Sequence, residues 1–100
     1  MRRGTTPTHT FTLPFDPSMI EKLRIVYVQM GQVVLTKTEE DIKITGNDVS
    51  VRLAESDTLK LKCKQNVDIQ LKVLTKGGDV LVSDIYTVSV SRCLCEEELT

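Results

Sequence analysis

The residues able to do chemistry are few, and their spacing does not favour a reaction. His9 is the only histidine. A catalytic triad needs an imidazole beside both a nucleophile and a carboxylate, and the residues around His9 supply neither. Cys93 and Cys95 form a Cys-x-Cys, with Cys63 elsewhere. Structural zinc sites pair ligands two to four residues apart and need four of them. His9 completes a Cys₃His set only if the first strand lies beside the last. Otherwise Cys63 is a small buried hydrophobe, and Cys93 and Cys95 continue the last strand or begin the tail. The carboxylate runs Glu39-Glu40-Asp41 and Glu96-Glu97-Glu98 fall in connections or ends and read as solvated charge. Gly77-Gly78 lacks the strand–loop–helix context of a phosphate loop. Two Phe and two Tyr are too scattered to stack bases or sugars. The expectation is a protein that is not an enzyme and has neither cofactor nor metal.

Composition narrows the partners. Thirteen basic and fourteen acidic residues leave a net charge of −1, against the basic excess of a dedicated nucleic-acid binder. Lys60, Lys62 and Lys64 fit one face of an edge strand protected by its lysines, or an anion or nucleic-acid contact. Met1-Arg2-Arg3 is followed by Gly4-Thr5-Thr6-Pro7 where a signal peptide needs an apolar run. No stretch is apolar for long enough to span a membrane as a helix. An odd number of cysteines agrees with a reducing compartment.

The elements that must position these residues are strands. Val67, Ile69, Leu71 and Val73 alternate with Asp68, Gln70 and Lys72, the period-2 pattern of a half-buried strand. Gly77-Gly78 turns the chain into a second run through Val80, Val82, Ile85, Val88 and Val90. Its stripe changes face around Ser83-Asp84, which predicts a bulge or bend. Upstream, Thr8 to Leu13 reads as a first strand with His9, Phe11 and Leu13 on one side. A turn follows, with one helical turn capped by Asp16 or Ser18, and Ser18 and Glu21 have capping-box spacing. Leu23 to Met30 is apolar on both faces, which marks a central strand or one covered by a neighbour. Val33 to Lys37, Ile42 to Ile44 and Val49 to Leu53 complete the early strands. Ala54 to Thr58 suits a short helical crossing, and Leu59, Leu61 and Cys63 begin an extended segment. About seven strands at this spacing predict an all-β, immunoglobulin-like β-sandwich, without the hallmark disulfide and tryptophan. A small open β-barrel is the alternative. The chain divides into a flexible arm (1–7), one sandwich domain (8–95) and an acidic tail (96–100).

The opening Met1-Arg2-Arg3-Gly4-Thr5-Thr6-Pro7-Thr8, the Tyr27-Val28-Gln29-x-Gly31 turn and the Val49-Ser50-Val51-Arg52-Leu53 strand form one set of markers. Val67-x-Ile69-Gln70-x-x-Val73 leading into Gly78-Asp79-Val80-x-x-Ser83 is another. Together they resemble short proteins encoded in prophages of Gram-positive gut bacteria and, more loosely, the N-terminal immunoglobulin-like domain of tailed-phage upper baseplate proteins. The resemblance implies a phage or prophage origin, a structural or adaptor role in virion assembly, and residence in the virion or the bacterial host cytoplasm. The chain ends without the receptor-directed or trimerising region of the longer baseplate proteins. Expected partners are copies of itself, as a homo-oligomer, or other virion proteins, with no nucleic acid and no membrane. Arg2 and Arg3 in the arm are the expected contacts, with Tyr27 and Met30 as apolar anchors. Ends of opposite charge offer pairing between neighbours. The alternative is a small regulatory or counter-defence module binding a host protein or ligand.

Overall fold

A computed structural model describes all residues, 1–100. Its strands are β1 (Thr8–Thr12), β2 (Ile20–Gln29), β3 (Gln32–Thr38), β4 (Ile42–Thr45), β5 (Asp48–Arg52), β6 (Asn66–Thr75), β7 (Val80–Val82) and β8 (Tyr86–Ser89). A five-residue helix, α1 (Glu55–Leu59), links β5 to β6, and 3₁₀ turns lie at Pro17–Met19 and Glu39–Asp41. One sheet has the order β1-β5-β4. The other has the order β3-β2-β6, with β7 and β8 both on the far side of β6. Every strand pairing is antiparallel. Two separate sheets make a sandwich rather than the alternative barrel. The order matches the B-E-D and C′-C-F-G sheets of a variable-type immunoglobulin domain, without the strand that would border β1.

Alternation places the core. Leu23, Ile25 and Tyr27 of β2 and Val67, Ile69, Leu71 and Val73 of β6 point between the sheets. They meet Phe11 and Leu13 from the β1 side and Val49, Val51 and Leu53 from the β5 side. β2 is central, as its two apolar faces predict, with β3 on one edge and β6 on the other. Its partner-free outer face carries Val26 and Val28, which remain half-buried. The β2–β3 reversal uses Met30 (φ 51°) and Gly31 (φ 74°), the pair of positive φ values that a two-residue type I′ turn requires. The predicted change of face falls at Ser83. Its Oγ accepts the Leu71 N–H (3.0 Å) and its own N–H donates to the Leu71 carbonyl (2.9 Å). That side-chain substitution divides the returning arm into β7 and β8.

Three local readings are corrected. Lys60, Lys62 and Lys64 lie in turns after α1 and not on a strand, so Leu59 to Cys63 is not extended. Gln29 holds this loop from β2: Nε2 donates to the Lys62 carbonyl (2.9 Å) and Oε1 accepts the Lys62 N–H (2.8 Å). Secondly, Asp16 caps the first 3₁₀ turn by accepting the Ser18 N–H, while Glu21 belongs to β2, so no Ser18–Glu21 capping box forms. Thirdly, residues 1–7 are not a free arm. Ser91 bridges Arg2 in parallel: its carbonyl accepts the Arg3 N–H (3.0 Å) and its N–H donates to the Met1 carbonyl (2.7 Å). The fully buried Thr58 hydroxyl donates to the Thr5 carbonyl (2.8 Å). Backbone groups that find partners hold a polar segment that composition alone marks as loose.

The two faces of β2 predict contrasting costs. Ile25→Ala removes a fully buried side chain and is expected to lower the unfolding free energy by about 2–5 kcal/mol. Val26→Ala, on the outer face, is expected to cost roughly 1 kcal/mol or less. Urea midpoints at constant m-value measure both.

Candidate interaction surfaces

His9 sits on the inner side of β1, where its Nδ1 lies 2.6 Å from the Tyr27 hydroxyl of β2. The rings are tilted at 37° with centroids 5.7 Å apart. Burial lowers the His9 pKa and keeps the imidazole neutral. Burial, with the nearby Asp57 charge, raises that of Tyr27 and keeps the phenol protonated. The pair is therefore a neutral hydrogen bond at the margin of the core, with Tyr27 fully buried and His9 half-buried. It corrects the reading of Tyr27 as a surface anchor: the side chain is 0% exposed, because its position shares the inward parity of Leu23 and Ile25.

The acidic groups are mostly fasteners. Asp57 Oδ2 accepts both Lys37 Nζ (2.7 Å) and the Ala54 N–H (2.9 Å), joining β3 to the start of α1. Burial alone raises the Asp57 pKa, but the Lys37 and Ala54 hydrogen bonds outweigh it and hold it below the ordinary value. Glu55 accepts the N–H groups of Leu99 (2.8 Å) and Thr100 (2.9 Å), and these bonds lower its pKa. Glu39 and Asp41, read as solvated, also accept backbone N–H groups. Glu39 takes Leu23 (3.1 Å) and pairs with Arg24 (2.7 Å), while Asp41 takes Thr38 (2.9 Å).

The expected contact residues do not act together. Arg2 Nη1 donates to the Arg92 carbonyl (2.6 Å). Arg3 is partly buried; its Nε donates to Leu61 (2.7 Å), its Nη2 to Leu59 (2.7 Å), and its Nη1 pairs with Glu96. The oppositely charged ends thus meet within one chain, which removes the motive for pairing them between neighbours. Met30 is 78% exposed at the β2–β3 turn, where it lines a cavity with Gln32, Lys60 and Lys62. Cys63, Cys93 and Cys95 are free thiols, and no three His, Cys, Asp or Glu side chains converge on a metal position. No helix is long and apolar enough to cross a membrane.

Two apolar surfaces stand out instead. The first is the outer face of the five-stranded sheet, where Val26, Val28, Val82 and Ile85 share a concavity of about 330 Å³ with Asp68, Gln70 and Lys72. Its β2 half was legible as the second apolar stripe. The second is a groove between β1 and β8, where Phe11 meets Tyr86 with ring centroids 5.3 Å apart. Its walls come from opposite sheets, so only the pairing order reveals it. No sequence spacing signals it.

The Asp57 linkage has a definite sign. Its folded pKa is depressed, so its contribution is fully present above the ordinary carboxylate range and is lost as pH falls through the folded value. Asp57→Asn is expected to lower stability at pH 7 by about 1–3 kcal/mol. The gap from the unaltered protein is expected to narrow below about pH 4, as measured by urea unfolding across pH.

No protein-family model and no curated protein matches the chain. Among solved structures it is similar to the V domain of amphioxus IgVJ-C2, at 15% identity and a TM-score of 0.37, over 90% of this chain and 96% of that one.

Proposed function

We propose that this chain is a non-enzymatic structural or adaptor protein of a tailed phage or prophage, working in virion assembly through contacts with copies of itself or other virion proteins. The observation that carries the contact mode is the apolar outer face of the five-stranded sheet. Sheet faces left in water ordinarily alternate to polar residues. Here Val33, Val80, Val82 and Ile85 are 62%, 56%, 54% and 60% exposed, beside Val26 and Val28. Arg24, Asp68 and Lys72 border this stripe, giving an apolar centre with a charged margin, the usual anatomy of a protein–protein contact. Repetition by symmetry lets a modest contact of this kind suffice. The virion setting rests on the resemblance of the Met1–Thr8, Tyr27–Gly31, Val49–Leu53, Val67–Val73 and Gly78–Ser83 segments to prophage-encoded proteins.

Light scattering after size exclusion, at two protein and two salt concentrations, tests the reading. The expected result is a defined oligomer, or co-sedimentation with particles from an induced lysogen, and either is expected to be lost in Val28→Lys or Val82→Lys while the fold is kept. A chain that stays monomeric throughout and co-sediments with no virion component overturns it.

A further inference from the structure

We infer that the groove along the free edge of β1 is a docking site for one extended strand supplied by a partner chain, which completes the three-stranded sheet. This goes beyond the assembly role proposed for the outer face, which lies on the other side of the five-stranded sheet.

The backbone sets the first requirement. β1 is the terminal strand of its sheet. The Leu13 N–H donates to Asn47 (2.8 Å) and the Leu53 N–H to Pro7 (2.9 Å). In an antiparallel ladder, residues bonded to the partner alternate with residues that face away from it. With Pro7 and Leu13 bonded to β5, the alternation assigns His9 and Phe11 to β5 as well. The N–H and C=O groups of Thr8, Thr10 and Thr12 therefore line the open edge. Between Pro7 and Pro14 that edge carries no charged residue to discourage pairing. Residues 1–3 run beside Ser91, and Thr5 and Thr6 meet Thr58 and Arg52, so this segment lies away from the open edge.

The floor of the groove sets the second. Leu81 pairs with Val73, and Tyr86 with Ile69, so both belong to the inward face of their sheet. They are nevertheless 42% and 44% exposed, because β1 is the last strand of the facing sheet and covers them only in part, through Phe11 on Tyr86. Two adjoining cavities of about 460 and 360 Å³ follow the β1 edge and share Phe11, Thr12 and Tyr86. Five residues of strand span roughly 17 Å, so the occupant needs about that length, with apolar side chains at alternate positions. β7 and β8 are the outermost strands of the facing sheet, so the covered width is that of one strand.

Charge supplies the third. Asp84 is the only carboxylate lining either cavity and forms no ion pair. The complementary strand therefore carries a basic residue at the end that reaches Asp84.

The test titrates the intact protein with the peptide acetyl-Lys-Thr-Val-Thr-Val-Thr-Val-amide, free to about 1 mM and fused to the N-terminus through a Gly/Ser linker that raises its local concentration into the same range. Amide hydrogen exchange is the readout. The expected result is protection of the Thr8, Thr10 and Thr12 amides by about tenfold or more, as one made hydrogen bond implies. Thr10→Pro deletes a donor that β5 does not use, and is expected to weaken binding about tenfold. Leu81→Lys, at an exposed position, serves as a second variant with the same expected direction. Binding without protection of the three amides, or unchanged binding by both variants, overturns the proposal and leaves an apolar cavity alone. Absence of binding by both free and fused peptide also overturns it. Neither Thr10→Pro nor Leu81→Lys alters Val28 or Val82, so loss of strand binding and loss of association through the outer face are separable.

Discussion

The structure depends on the pairing of β2 with β6. These two ten-residue strands run antiparallel from Ile20 opposite Thr75 to Val28 opposite Asp68, and their inward residues, Leu23, Ile25, Tyr27, Ile69, Leu71 and Val73, supply six of the fifteen core residues from one continuous surface. Register here is binary in its effect, since a slip of one residue would turn every one of these side chains to solvent. The remaining strands are placed by it. β3, β7 and β8 add to the outer edges of this pair, and the three-stranded sheet rests Phe11, Val49 and Val51 on its inner face.

A sheet of five strands stacked on one of three leaves an imbalance, and the surface chemistry follows from it. Inward-facing groups at the β7–β8 side are only partly covered by β1, and the outer face of the larger sheet keeps its valines in water. The polar devices sit at the ends of the sandwich instead. Asp57, Glu55, Arg3 and Gln29 each tie a loop or terminal segment to a strand or to α1 through backbone groups. These are capping tasks, and their lowered carboxylate pKa values reflect N–H donors more than catalytic tuning.

The alternating stripes, the turn at Gly31, the crossing after Leu53 and the bend at Ser83 were all legible, because each follows from local periodicity or from a residue with special backbone freedom. Long-range pairing was not. Lys60, Lys62 and Lys64 alternate as a strand would, yet a positive φ at Lys64 and the Gln29 clamp, neither of which has a sequence signature, break the segment into turns. Tyr27 lost its role as an anchor for a different reason. Its parity placed it with the core, but its chemistry suggested a surface. Arg2 and Arg3 read as a mobile arm because composition says nothing of the carbonyls at Leu59, Leu61 and Arg92 that await them.

The bend at Ser83 has a dynamic consequence. By lending its hydroxyl to Leu71, it separates the returning arm into two short pieces, each with its own register on β6: three pairs for β7 and four for β8. β8 also rests Val88 and Tyr86 against the core side, whereas β7 keeps its three residues exposed. With fewer pairs and all three residues exposed, β7 is expected to open at a lower free energy than β8. Since Leu81 lines the groove, such an opening would widen it while leaving the β2–β6 register untouched.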